Sequence, residues 1–263
     1  MKESLLKTVT QGNVHGEPLI AFHGWAMNSS VWEAVKTELE TDYLVTWVDL
    51  PGHGINKSVT ATSLQQVVTL MLPLIKTKSH LMGWSLGGLV VQALAQQIPN
   101  KILSLNLITT SPRFSQAENW PFAMGREQLD YFSKNVQTDP EATIKRFIAL
   151  QFLGIKKTKQ LQRDLIRNVI NTPASNKALT TGLTILSTAD FRHVKHTVPQ
   201  HWIMAECDRL IPKSVINDLK LIYPDAQITL LDNTGHAPFM THPNEFMASF
   251  KQFMKKLESS AKC

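Results

Sequence analysis

Leu81-Met82-Gly83-Trp84-Ser85-Leu86-Gly87-Gly88 is the stretch that decides how the chain folds. It reads as the end of a buried strand, a tight turn and the start of a helix. Gly83, Ser85 and Gly87 spell G-x-S-x-G, the pattern of a nucleophile elbow, in which a serine sits on a sharp strand-to-helix turn. Strand and helix backbones come very close at such a turn, so the serine needs neighbours without a Cβ atom. The pattern predicts that Ser85 projects its hydroxyl above a sheet. The helix that follows, expected over 86–97, then points its N-terminus at the reacting centre, where partial positive charge favours an oxyanion. The same pattern also arises by chance as an ordinary Gly-Ser turn, so its flanks matter. Ser79-His80-Leu81-Met82 is short and ends apolar, as a buried strand does, and Leu89 to Ala95 carries an apolar face at helical spacing.

The same alternation extends on both sides. Leu5 to Val9 reads as an edge strand, with Gly12-Asn13 as a turn. Leu19 to Phe22 is a buried strand that ends in His23-Gly24-Trp25, and Asn28 or Ser29 can cap a helix reaching about Leu39. Tyr43 to Asp49 is a strand closed by Pro51-Gly52-His53-Gly54; Ser63 can cap a helix from Leu64 to about Ile75; Ile102 to Ile108 is a further strand. Strands alternating with helices across short loops predict a parallel sheet covered on both faces. From about Arg113 to Thr188 no strand pattern is visible. Helices are expected over 125–135, 141–152, 156–170 and 175–186. The sheet pattern then resumes with strands at 201–205 and 227–231 and helices at 213–222 and 243–257, followed by a mobile tail. The fold class is therefore α/β, with core segments 1–112 and 188–263 and an inserted helical cap at 113–187.

A serine hydroxyl is a weak nucleophile until a base lies within hydrogen-bond reach and an acid orients that base. On a strand–turn–helix elbow the chain order is Ser, then Asp or Glu, then His. Ser85, Asp208 and His236 keep that order, and each follows an expected strand, so all three can meet at the C-terminal edge of the sheet, where open α/β sheets bind ligands. His236, between Gly235 and Pro238 after the last strand, is the best base of the nine histidines. Glu206 competes with Asp208 locally but sits closer to its strand and suits a loop-supporting role. Asp232 is too near His236 in sequence. The oxyanion is expected on the backbone N–H of Leu86, the residue after the nucleophile, and of Trp25, in the loop after the strand ending at Phe22. Trp25 also reads as a plain aromatic wall, and both can hold, because the donor is backbone.

Bulk properties set limits. A chain of 263 residues with 43% hydrophobic content suits one soluble domain with a sizeable core. No apolar run approaches the roughly 20 residues that span a bilayer. The opening Met1 to Lys7 has no apolar signal core, so a cytoplasmic protein is expected. Cys207 and Cys263 are the only cysteines, and no structural disulfide is expected between them. The net charge of +6 fits solvated surface or an acidic partner. Walker, dinucleotide and paired C-x-x-C motifs are missing. No metal or cofactor is expected, and neither a membrane nor nucleic acid is expected as a partner, since no recognition module accompanies the charge.

His23-Gly24-Trp25, the elbow and Gly235-His236-Ala237-Pro238-Phe239 together resemble the α/β-hydrolase superfamily. A finer resemblance, covering nearly the whole chain, is to the pimeloyl-acyl carrier protein methyl ester esterases of biotin synthesis. It rests on Gly12-Asn13-Val14-His15, Trp84 inside the elbow, Ser111-Pro112 with Phe114-Ser115, Trp120-Pro121 and Arg146-Phe147-Ile148-Ala149-Leu150-Gln151. The elbow and the histidine loop are generic; Trp84, Trp120-Pro121 and the segment around Phe147 are more specific. The resemblance implies Ser85 as nucleophile, Asp208 as acid and His236 as base, with Trp25 and Leu86 at the oxyanion. It implies Phe147, Ile148, Ala149, Leu150 and Gln151 along an acyl channel, and Arg146, Lys159 and Arg163 as contacts to an acidic acyl carrier protein. One family arginine falls on Ala142, where Lys145 is the available replacement. Ala205-Glu206-Cys207 and Ile55-Asn56-Lys57 also depart from the family pattern, without touching the triad.

The cap agrees on its own terms. Lys145, Arg146, Lys156, Lys157, Lys159, Arg163 and Arg167 crowd a segment with few acids, a face that attracts an acidic carrier or is simply solvated. The expected activity is that of a serine carboxylesterase acting as a monomer. Because fold and triad do not set the substrate, a broader short-acyl esterase or thioesterase stands as an alternative, and a hydrolase-fold binding protein without activity as another.

Overall fold

A computed structural model describes residues 5–261. Its centre is a seven-stranded sheet built from β1 (Val9–Gly12), β2 (Pro18–Phe22), β3 (Leu44–Val48), β4 (Ser79–Trp84), β5 (Ile102–Ile108), β6 (Gln200–Ala205) and β7 (Gln227–Leu231), in the order β1-β3-β2-β4-β5-β6-β7. Only β1 runs antiparallel, along β3; every other pairing is parallel. Parallel strands are covered on both faces and read as continuous apolar runs. Every residue of β4 and β6 is buried accordingly. Phe22, Gly83 and Leu107 lie in register across the middle of the sheet, which brings the C-terminal ends of β2, β4 and β5 to one edge.

Helices cover both faces. On one, α2 (Leu64–Met71) packs on α3 (Leu86–Gln97), which lies across β2, β4 and β5. On the other, α1 (Glu33–Asp42) meets β1 and β3, while α10 (Pro243–Ala261) meets β6 and β7. Between β5 and β6 come α4 (Arg126–Thr138), α5 (Pro140–Gln151), α6 (Lys159–Asn171) and α7 (Asn176–Thr188). Helix starts follow side-chain chemistry: Ser63 accepts from the Gln66 amide, Asp139 from Ala142 and Ser175 from Ala178, each satisfying one orphan donor of a first turn. The short helices α8 (Ile216–Ile222) and α9 (Pro238–Thr241) complete the set. Phe239 of α9 packs its ring 5.1 Å from Trp84 and 4.3 Å from Trp32, so the segment after β7 is anchored directly on the elbow strand.

Several boundaries differ from the sequence expectations. The first strand is 9–12 rather than 5–9. Its residues are all exposed, so no apolar pattern marks it, whereas Leu6 is buried and the chain at Lys7 is held by the Asn56 side chain through its amide (2.8 Å) and carbonyl (2.9 Å). Asn28 does act as a cap, but of a short 3-10 turn, Ser29–Trp32, that leads into α1. The last helix continues to Ala261, past the expected end at Leu257. Cys207 is a free thiol, and Cys263 lies outside the described residues. No described helix is long and apolar enough to cross a membrane.

His23, His53, His80 and His201 are locked into the interior, and His196 is half-buried. Burial pushes His53 and His201 down to about 3 and His196 down to about 4, and it also lowers His80 and His23. In the folded state they stay neutral through a range where the unfolded chain takes up protons. Their stabilising effect is therefore complete above pH ~6.5 and is lost progressively as pH falls toward about 3. The melting temperature is expected to be highest above pH 7 and to drop steadily between pH 6.5 and 4. His201→Gln should flatten that slope by one proton, or about 1.4 kcal/mol per pH unit. Melting curves across this range check it; an unchanged slope in the variant would contradict it.

Candidate active site

The elbow begins with a steric constraint. A Cβ on Gly83 would stand 2.5 Å from the carbonyl oxygen of Gly87, and one on Gly87 would collide with the carbonyl of Phe22 at the end of β2. Glycine at both positions lets β4, α3 and β2 approach. Ser85 between them adopts φ 55, ψ −117, a region that costs a non-glycine residue about 1–3 kcal/mol. The surroundings hold it there: its amide donates to the Ile108 carbonyl (3.0 Å), and its carbonyl accepts from Thr110 Oγ1 (2.8 Å) and the Gly88 amide (2.9 Å).

That conformation aims the Ser85 hydroxyl at the loop after β7. His236 Nε2 lies 2.9 Å from Ser85 Oγ, and His236 Nδ1 lies 2.8 Å from Asp208 Oδ2. The side chains of His236 and Asp208 are completely buried. Asp208 Oδ1 accepts from the amides of Leu210 (2.8 Å) and Ile211 (3.1 Å), which leaves Oδ2 for the imidazole. With the carboxylate ionised, Nδ1 carries the ring proton and Nε2 is the free base facing Ser85. The backbone of His236 is fixed from several sides. Its carbonyl accepts from Trp84 Nε1 (2.7 Å) and Thr109 Oγ1 (2.6 Å), and its amide donates to the Gln151 carbonyl (3.2 Å).

The structure therefore brings Ser85, Asp208 and His236 together in one hydrogen-bonded chain. Glu206 does not join it; it accepts from the Asn233 amide (3.1 Å) and from Lys213 Nζ (3.0 Å), bracing the loop between β7 and His236. Leu86 is the first residue of α3, so its amide has no partner within the helix. Trp25 follows Gly24, and a Cβ on Gly24 would stand 3.3 Å from Ser85 Cβ, so this loop lies directly beside the serine.

Above the serine the helices α4, α5 and α7 supply the cover. Trp25 is buried, its Nε1 donates to the Leu179 carbonyl (2.8 Å), and its ring packs 4.8 Å from Phe147, which in turn meets Phe132 at 5.6 Å. Ser85 itself is only 1% exposed. Of the run 147–151, Phe147, Ile148 and Gln151 are buried, Leu150 is half-buried and Ala149 is exposed. A helix turns about 100° per residue, so five successive side chains cannot all face one channel; Ala149 is corrected to the outer face. The Gln151 amide is buried with neither its oxygen nor its nitrogen partnered among the described residues. Arg146 lies over the Tyr131 ring, 4.5 Å from its centroid, and donates to the Tyr131 hydroxyl (3.2 Å). Lys159 and Arg163 stand exposed on α6, with Arg163 donating to Gln160 (2.8 Å). The basic cluster is less bare than its composition suggests, because Lys145 pairs with Glu141 (2.6 Å) and Arg167 with Asp164 (2.7 Å).

Thr109, Thr110 and the indole N–H of Trp84 brace the backbone of His236 and Ser85, contacts that sequence reasoning missed. They act on backbone carbonyls more than a hundred residues away or across a strand, and no local pattern marks such contacts.

The family defined by the α/β-hydrolase fold matches residues 17–243. The chain belongs to the α/β-hydrolase family. It is 34% identical over 260 residues to the pimeloyl-acyl carrier protein methyl ester esterase of Citrobacter koseri, covering 98% of this chain and 100% of that protein. It is 33% identical over 243 residues to the protein of that name from Photobacterium profundum, covering 91% and 95%. Among solved structures, a bromoperoxidase from Bacillus anthracis superposes with a TM-score of 0.86 at 21% identity, covering 94% of each chain, a likeness of fold. This α/β-hydrolase is thus an enzyme of the hydrolase class, related over nearly its whole length to named esterases.

In this hydrolase the buried carboxylate fixes both the tautomer and the direction of the imidazole. Asp208→Asn is expected to lower kcat by about 10⁴-fold, since the amide no longer enforces Nδ1–H. A melting temperature close to that of the parent, measured beside the rate, separates this loss from unfolding. Wild-type turnover in the variant would contradict the assignment.

Proposed function

We propose that this enzyme is a serine carboxylesterase that hydrolyses the methyl ester of pimeloyl-acyl carrier protein, releasing pimeloyl-acyl carrier protein and methanol in biotin biosynthesis. The observation that carries the chemistry is the Ser85–His236–Asp208 chain at the elbow; the substrate comes from the names of the relatives.

Ser85 Oγ attacks the ester carbonyl while His236 Nε2 takes its proton. The carbonyl oxygen, now an oxyanion, is received by the amides of Leu86 and Trp25, at the positive end of α3. The tetrahedral adduct collapses, the C–O bond to the methoxy group breaks, and His236 returns the proton to release methanol. Water then gives a proton to the same nitrogen and attacks the acyl-serine, and the carboxylate leaves as Ser85 recovers its hydrogen. Asp208 holds the imidazolium at each stage and stays ionised.

Segment 113–187 acts in this proposal as a cap. Phe147 and Ile148 supply an apolar wall, and the unpartnered amide of Gln151 is available to a polar group of the acyl chain. Because Ser85 is covered, substrate entry in this proposal requires movement of the cover, of which the Trp25–Phe147 contact is a part. Arg146, Lys159 and Arg163 meet the acidic carrier, and a monomer in the cytoplasm suffices for the reaction.

Hydrolysis of the carrier-bound methyl ester beside a short free methyl ester tests the proposal. Strong preference for the carrier-bound ester, abolished in Ser85→Ala, is the expected result. Equal turnover of the free ester would favour a general short-acyl esterase, and no turnover of either would favour a binding protein. Charge reversal of the carrier face, Arg146→Glu with Arg163→Glu, is expected to raise KM for the carrier-bound ester about tenfold or more, and the parent's advantage should shrink as salt is raised. The free ester should respond little. Equal effects on both esters would remove these arginines from carrier recognition.

A further inference from the structure

The loop that carries Trp25 is held from beneath by a buried histidine. His23 is the last residue before Gly24, is wholly buried, and has both ring nitrogens engaged. Nε2 lies 3.0 Å from the amide nitrogen of Leu50, and that amide can only donate, so Nε2 must be the unprotonated acceptor. Nδ1 lies 2.7 Å from the carbonyl oxygen of Gly24, which can only accept, so Nδ1 must carry the hydrogen. One form of the ring satisfies both contacts, the neutral Nδ1–H tautomer. Protonation would set Nε2–H against the Leu50 N–H; the opposite tautomer would do the same and leave the Gly24 carbonyl facing a bare lone pair.

The carbonyl of Gly24 and the amide of Trp25 belong to one peptide unit. That unit is planar, and the described chain contains no cis peptide bond. In a trans peptide the C=O and N–H bonds point in opposite directions. Fixing the Gly24 oxygen on His23 Nδ1–H therefore also fixes where the Trp25 N–H points. The same oxygen accepts from the Met27 amide at 3.3 Å, a second and longer contact. Through Leu50 the clamp reaches the loop after β3. There Asp49 accepts from the Ser29 (2.6 Å) and Ile55 (2.9 Å) amides, and the His53 and His23 ring centroids lie 5.0 Å apart, the rings steeply inclined to each other.

We infer that His23 is a positioning residue of the ester hydrolysis: as the neutral Nδ1–H tautomer it clamps the Gly24–Trp25 peptide so that the Trp25 amide faces the oxyanion formed at Ser85. This inference rests on the serine-esterase reading above. His23 does not touch the substrate; its effect is confined to the state in which the oxyanion exists. Ground-state binding is therefore spared when the clamp is lost, and the tetrahedral state is not.

Steady-state kinetics of His23→Ala and His23→Asn, beside the parent and Ser85→Ala, test the inference on the ester that the parent turns over. Loss of a single oxyanion donor costs about 10²–10³ in kcat. Misdirection of one predicts a fall of about tenfold or more in kcat for His23→Ala, with KM within about twofold. Affinity for an alkyl boronic acid, which forms a tetrahedral adduct on Ser85, should fall by the same factor as kcat. Asn places an N–H donor near the position of Nδ1 and should recover most of the loss. If kcat and boronic acid affinity stay at the parent's level, or if Asn folds and recovers nothing, the inference fails. Activity remaining in Ser85→Ala would overturn the serine reading and this inference with it; loss there with no effect at His23 overturns the inference alone. The parent enzyme gives a reading independent of the variants' folding. The ¹⁵N shifts of its His23 ring should show a protonated Nδ1 and a bare Nε2 at pH 7, and any other pattern contradicts the clamp.

Discussion

The close approach of β4, α3 and β2 at the elbow is the constraint on which the site depends. Gly87 leaves no room for a side chain against the carbonyl of Phe22, and Gly83 leaves none against Gly87. The serine between them is held at positive φ by bonds from β5 and from Thr110. A conformation this costly persists only where its surroundings over-determine it. Here they do so from the buried centre of the sheet. Ser85 is thus mounted at the end of a fully buried strand, while His236 and Asp208 reach it from loops.

Those loops are fixed through their backbones. The histidine loop is tied by the Trp84 indole, Thr109 and the Gln151 carbonyl, and its far end is anchored by Phe239 on Trp32 and Trp84. The acid loop is tied by the Leu210 and Ile211 amides on Asp208 and by Glu206 on Asn233. The loop at Trp25 is tied through His23 and Asp49. The loops that carry His236, Asp208 and Trp25 are therefore each tied by polar contacts to main chain, whose geometry is directional.

Much of this was legible in the sequence for a physical reason. The elbow is a local backbone requirement written in glycines, and the order Ser85, Asp208, His236 follows from strands that all end at one edge. Parallel strands announce themselves as apolar runs, and helix caps such as Ser63 sit where their chemistry is needed. Other features were hidden because nothing local encodes them. The exposed strand 9–12 has no apolar face. Thr109 and the Trp84 indole act on a carbonyl far along the chain. Ala149 faces outward because a helix rotates, whatever its neighbours in sequence do. Composition overstated the basic face, since Glu141 and Asp164 pair with two of its cations; exposed pairs of this kind add little stability but do lower the net field.

The proposed chemistry requires Ser85 to be an activated nucleophile, made so by the strained elbow and by His236. Intact-mass measurement after treatment with an alkyl fluorophosphonate tests it most directly. One adduct on the wild-type chain, mapped to Ser85, is expected, with none on Ser85→Ala and labelling slowed by orders of magnitude in His236→Ala. An adduct elsewhere, or undiminished labelling without Ser85 or without His236, would contradict it.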